Sequence, residues 1–107
     1  MRADLAGADL MSADLRGALL RGANLESAYL RGTELKRANL AGANLEGANL
    51  EGADATDAYL RGANLKYANL IRSNLKGADL TGADLTEADL TDAIIERAFN
   101  VPSIKML

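Results

Sequence analysis

The chain has 107 residues, a formal net charge of −3, and neither cysteine nor histidine. That composition excludes disulfides, thiolate metal sites, Cys or His nucleophiles and imidazole chemistry near neutral pH. The small charge points neither to a nucleic-acid binder nor to a strongly acidic mimic.

Hydrophobic residues make up 49% of the chain but aromatic residues only 4%, so any core is built from Ala and Leu. No apolar run reaches the length of a membrane span, and the start Met1-Arg2-Ala3-Asp4-Leu5 has no apolar signal core. A soluble, cytoplasmic protein without membrane contact is expected.

From the first residues the chain is periodic. Leu recurs at 5, 10, 15, 20 and every fifth position to 50, then from 60 to 90, with Ala55 and Ile95 filling the two remaining slots. Two residues before each stands Ala, from Ala3 to Ala98, departing only at Thr33 and Ser73. The residue between is mostly Asp or Asn, and two residues after the Leu the commonest is Gly. The repeat is Ala-(Asp/Asn)-Leu-X-Gly.

A period of five rejects both common elements. On an α-helix the leucines would spiral over every face and leave no apolar stripe. On one continuous strand, successive leucines would point to opposite sides. Alternation within a repeat does work: Ala and Leu face inward, the Asx between them faces outward, and the last two residues turn the chain. Wrapping then places the leucines on an axis, while the alanines let the walls approach.

This tiling resembles the pentapeptide-repeat family, over about residues 3–99. The resemblance implies an all-β fold, a right-handed quadrilateral parallel β-helix with four repeats per coil. Over this length it makes about five coils, a rod ~24 Å long at sheet spacing. One domain, 1–107, is expected, with repeats over 3–96 and a C-terminal cap over 97–107. Charge spacing does not count the sides. Opposite pairs twenty apart (Arg31–Glu51, Arg37–Asp57, Glu46–Lys66, Arg72–Asp92, Lys76–Glu96) stand beside like pairs such as Arg16–Lys36 and Glu34–Asp54, and a spacing of fifteen scores no worse.

Taken along the chain, the departures from the repeat suggest where function could lie. Leu19, Tyr29, Tyr59, Ile94 and Phe99 take the outward Asx slot, and Tyr67 and Ile71 add apolar surface at turns. With four sides, Leu19, Tyr59 and Phe99 share one side on alternate coils, flanked by Arg21 and Arg61. This Arg/Tyr strip is the candidate lateral interaction surface. Thr33 and Ser73 put hydroxyls inward, where each is expected to bond a nearby carbonyl, and Ala55 predicts a void or a local pinch in the leucine axis. The outward Asx residues read as turn formers rather than catalytic acids.

Residues 77–96 carry Asp79, Asp84, Glu87, Asp89, Asp92 and Glu96 with no Lys or Arg, an acidic end suited to a basic partner. Beyond it the repeat decays through Ile94-Ile95, Phe99 and Val101-Pro102 to Leu107. No comparable cap precedes Ala3; that end is open to cover by another copy, by further chain or by nothing, and an end-to-end homodimer is the expectation carried forward.

No catalytic residue, cofactor site or metal site stands out. The leading expectation is a non-enzymatic structural or protein-interaction module with an unknown protein partner and no direct nucleic-acid binding. The alternative is a DNA-mimicking inhibitor of DNA gyrase that confers quinolone protection, as some members of the family do. Against it stand the outward cations Arg16, Arg21, Arg31, Lys36, Arg61, Lys66, Arg72 and Lys76.

Overall fold

The computed structural model describes residues 2–102. Ser103–Leu107, five of the eleven residues expected to form the cap, lie outside the described residues. Within them every repeat adopts one conformation. The Leu carbonyl accepts a hydrogen bond from the amide three residues on, as in Ala43 to Leu40 at 3.0 Å, closing a tight turn. The last residue of each repeat has φ between +57° and +71°, whether it is one of ten glycines or one of nine other residues such as Arg37 and Tyr67. Positive φ at this position is what a type II turn requires, and glycine is the residue that adopts it without strain.

Sixteen parallel bridges join the outward residue of each repeat to the one twenty residues later, from Asp4–Asn24 to Asp79–Phe99. The chain therefore passes beneath itself every four repeats. Each side contributes single bridged residues rather than extended strands. Between turns of the coil, the Leu25 amide donates to the Asn44 carbonyl at 2.7 Å and the Asn44 amide donates to the Ala23 carbonyl at 2.9 Å. This pattern repeats on every side and keeps buried backbone groups paired.

The bridges define four outward columns. The first side carries Asp4, Asn24, Asn44, Asn64 and Asp84, and the second Asp9, Tyr29, Asn49, Asn69 and Asp89. The third carries Asp14, Glu34, Asp54, Asn74 and Ile94, and the fourth Leu19, Asn39, Tyr59, Asp79 and Phe99. Inside, the Leu and Ala columns from Ala23 to Leu90 form one buried cluster. The leucines of the first turn (Leu5, Leu10, Leu15, Leu20) are only half-buried, as are Ile95, Ala98 and Val101 at the other end. The chain leaves the repeat at Asn100, whose φ is +52° and whose side-chain amide donates to the Thr81 hydroxyl at 2.9 Å.

Two inward departures behave differently. The Thr33 hydroxyl donates to the Leu10 carbonyl at 2.7 Å, as expected. The Ser73 hydroxyl does not: it is buried and has no hydrogen-bond partner. The equivalent acceptor, 23 residues back as Leu10 is from Thr33, is the Leu50 carbonyl. Serine lacks the branching methyl that narrows the rotamer choice of threonine. Ala55 and Ser73 line a cavity of about 10 Å³ among the leucines, which is the void expected from the missing Leu.

Candidate interaction surface

Fourteen outward positions hold Asp or Asn, and in all of them the side-chain Oδ1 accepts the amide two residues on, at 3.0–3.3 Å. These Asx turns set the corner that follows, so the outward carboxylates are committed to structure. At Asp54, Asp79, Asp84 and Asp89 the same oxygen also accepts a Thr hydroxyl, at 2.6 Å. Among the described residues no group of three His, Cys, Asp or Glu side chains could hold a metal ion.

These bonds stabilise the ionised carboxylates. The Thr81, Thr86 and Thr91 hydroxyls hold Asp79, Asp84 and Asp89 below the usual carboxylate range. The Arg16 guanidinium hydrogen-bonds Asp14 and lowers it to about 2. A carboxyl with a depressed native pKa stabilises the fold above its unfolded value, and that contribution fades as pH falls through the native value. Stability is therefore expected to hold from neutrality down to about pH 4 and to decline from there toward pH 2. Urea midpoints measured across that range check this; a decline that begins near pH 6 contradicts it.

Where Asx is absent, the outward slot is free for another purpose. On the fourth side Leu19 is 86% exposed, Tyr59 52% and Phe99 60%, on alternate turns of the coil and separated by Asn39 and Asp79. At sheet spacing the three apolar side chains stand about 10 Å apart. Arg61 flanks Tyr59, and its guanidinium lies 3.6 Å from the Asp79 carboxylate, which draws it along the strip toward Phe99. Arg21 follows Leu19 at the same corner, two turns away. The next corner position is glycine at 22, 42, 62 and 82. A Cβ added at Gly42 or Gly62 would meet nothing within 4 Å, whereas one at Gly22 would run into the Arg2 side chain at 2.7 Å, so this edge is open along its middle and covered by Arg2 beside Leu19. Five sequence candidates, Leu19, Arg21, Tyr59, Arg61 and Phe99, thus fall on one side.

The remaining apolar departures do not join them. Tyr29 lies on the second side, Ile94 on the third, and exposed Tyr67 on the corner between the first two. The acidic end also proves to be a ring rather than a face. Asp79, Asp84 and Asp89 occupy three different sides, while Glu87, Asp92 and Glu96 sit at intervening corners. Asp79 and Asp84 are met by Arg61 and Lys66 from the preceding turn, at 3.6 and 3.9 Å.

The ion pairs show why charge spacing did not count the sides. None of the five opposite pairs twenty apart is an ion pair among the described residues. The contacts are Lys36–Asp54, Arg61–Asp79 and Lys66–Asp84, each eighteen apart, with Asn64–Glu46 bonded at the same separation. Arg72–Glu51 is twenty-one apart at 2.6 Å. A long side chain at the first corner position leans back over the outward residue of the next turn. Exposed pairs of this kind are individually weak, and their consistent spacing favours one register.

The pentapeptide repeats profile matches eight copies over residues 1–36, 18–54, 33–66 and 58–97. Among solved structures, the pentapeptide repeat protein Rfr23 from the cyanobacterium Cyanothece 51142 is 39% identical with a TM-score of 0.84, over 86% of this chain and 63% of that one. HetL from Nostoc sp. strain PCC 7120, involved in heterocyst differentiation regulation, is 43% identical with a TM-score of 0.76, over 90% of this chain and 48% of that one. The chain thus spans about half to two thirds of the length of these two proteins. No protein in the curated comparison matches. No helix among the described residues is long and apolar enough to cross a membrane.

Proposed function

The chain belongs to the pentapeptide-repeat family, and from that premise we propose that it is a non-enzymatic protein-interaction module. Its coil is right-handed, as in the family, and forms one domain. The fourth side is the working face. The observation that carries this reading is the alignment of Leu19, Tyr59 and Phe99 in one exposed column, bordered by Arg21, Arg61 and a glycine corner. Aromatic and Arg side chains are the usual anchors of interfaces, and a Tyr ring, with two χ angles, loses little entropy on binding. The first side offers only Asx residues and the others one apolar residue each in the outward slot.

The gyrase-inhibitor reading gains no observation. Outward cations recur from Arg16 to Lys76, and the three ion pairs at eighteen-residue spacing offset carboxylates on the third, fourth and first sides. No continuous phosphate-like face results.

A photo-crosslinking side chain at position 59, compared with one at position 69 on the second side, tests the proposal in lysate of the source organism. Discrete protein adducts from position 59, competed away by unlabelled protein but not by a Tyr59→Ala/Arg61→Ala variant, are expected. Equal labelling from both positions would remove the fourth side as the working face.

A further inference from the structure

The small net charge hides a segregation across the coil. Among the described residues six cations form no ion pair, and five of them border the fourth side. Arg2 and Arg21 lie on the corner between the fourth and first sides, and Arg37, Lys76 and Arg97 on the corner between the third and fourth. All five are exposed. The sixth, Arg31, lies between the second and third sides. With the paired cations included, the fourth side and its two corners carry eight cations against three carboxylates, Asp57, Asp79 and Glu96.

The second side and its corners, across the coil, hold the opposite balance of three cations and seven carboxylates. Six of those carboxylates, Asp9, Glu26, Glu46, Glu87, Asp89 and Asp92, have no ion pair among the described residues. The twenty-residue register produces the contrast, because it stacks Arg16, Lys36 and Lys76 in one corner column and Arg37 and Arg97 in the next. An acidic chain thus turns one basic face outward. It is the face that carries Leu19, Tyr59 and Phe99.

We propose that the fourth side binds an acidic amphipathic helix of another protein, laid along the coil axis with its apolar stripe on Leu19, Tyr59 and Phe99. This rests on the fourth-side reading above and adds the chemistry of the partner. Charge complementarity carries it. A helix with carboxylates on both flanks of its apolar stripe, where the e and g positions of a coiled coil lie, sets them over Arg21 and Arg61 on one edge and over Arg37 and Lys76 on the other. Spacing agrees. Residues seven apart on a helix return to one face after about 10.5 Å, close to the roughly 10 Å step of the strip. On an extended strand one face repeats at about 6.6 Å, which does not match that step.

Other occupants fit less well. A second copy could offer its acidic second side, but Tyr29 is the one apolar residue in that outward column and leaves two anchors unmet. A nucleic acid would bring phosphates against Asp79, which stands between Tyr59 and Phe99, and against Asp57 and Glu96 at the corner. A protein helix can place a neutral or cationic residue there.

Fluorescence anisotropy with a labelled synthetic helix tests the proposal. The probe is about three heptads long, with Leu at every seventh position, Glu on both flanks of that stripe, and Ala and Gln elsewhere; a second probe has Lys in place of Glu. The full chain should prefer the Glu-flanked probe by about tenfold, since exposed pairs are individually weak and several act together. The preference should shrink as salt rises. Arg37→Glu with Lys76→Glu should bring the two probes level, and Arg31→Glu should leave the preference unchanged. Circular dichroism verifies folding, and Arg37→Gln with Lys76→Gln replaces the first pair if it does not fold. A proline at the centre of the probe, which breaks the helix, should weaken binding. Equal affinity for both probes, undiminished binding of the proline probe, tighter binding of a single-stranded oligonucleotide, or salt-sensitive self-association that displaces the probe overturns the proposal. The face and its partner are tested separately. Lysate adducts at position 59 that Arg37→Glu with Lys76→Glu does not change would leave the fourth side as the working face and remove the acidic partner. Probe crosslinking at position 69 and not at 59 would remove the face itself.

Discussion

Leu45→Ala is expected to lower the unfolding free energy by about 3 kcal/mol, a large share of the margin of a protein this size. Leu45 is completely buried between Leu25 and Leu65 of the adjoining turns. The walls cannot close over the loss, because the Leu45 amide donates to the Asn64 carbonyl at 2.7 Å and the Asn44 amide to the Ala23 carbonyl at 2.9 Å. Those bonds fix the separation of the turns, so a cavity is left instead of a collapse. Leu5→Ala, on the half-buried first turn, should cost about half as much, since less apolar area is removed from water in the native state. Urea unfolding of both variants checks the contrast. Equal losses would mean that the axis is not packed as described.

The second large effect runs the other way. Ala55→Leu together with Ser73→Ala should raise stability by about 2 kcal/mol. Ala55 keeps the backbone pairing of the leucine slots, with its amide 2.7 Å from the Asn74 carbonyl. The adjacent cavity of about 10 Å³ is the space into which a leucine at 55 extends. Ser73 carries a buried hydroxyl without a partner, and the Leu and Ala side chains that line the rest of the cavity offer a bridging water none of the further polar partners it needs. Removing the hydroxyl removes its desolvation cost. The two sites line the same cavity, so their effects should not add. The two single variants and the double variant, unfolded in urea, measure that coupling. A less stable double variant would show that the Ala55–Ser73 pair relieves crowding instead of leaving a void.

Much of this was legible in the repeat. The five-residue period, with Ala and Leu inward and Asx outward, already specified a chain wrapped on its leucines, and the Asx slot already pointed to local backbone bonding. The number of sides was not legible, and the charges explain why. Residues twenty apart are stacked by the backbone, but long side chains do not point straight out of their own turn. They lean back, so attraction is recorded at eighteen, as in Lys36–Asp54 and Lys66–Asp84. Comparing first corner positions with the outward slot eighteen residues on would have found Arg16–Glu34, Lys36–Asp54, Arg61–Asp79 and Lys66–Asp84, with no like pair among them.

The strip on the fourth side followed once four sides were taken, because column membership depends only on the period. Its fine structure did not follow. The Arg61–Asp79 contact depends on side-chain lean. The failure of Ser73 to match Thr33 depends on a single rotamer, and nothing in the pattern of five encodes that.

The most direct test uses the absence of cysteine. Asn44 and Asn64 are bridged neighbours on adjacent turns, with their side-chain amides 3.4 Å apart. Cysteines at 44 and 64 fall within the Cα separation of about 4.4–6.8 Å that a disulfide spans, whereas cysteines at 44 and 59 lie on different sides. Under mild oxidation the 44/64 pair should crosslink within one molecule nearly quantitatively, and the 44/59 pair should remain reduced. Crosslinking at 44/59 with none at 44/64 would mean a coil of fifteen residues and three sides, and would contradict the account.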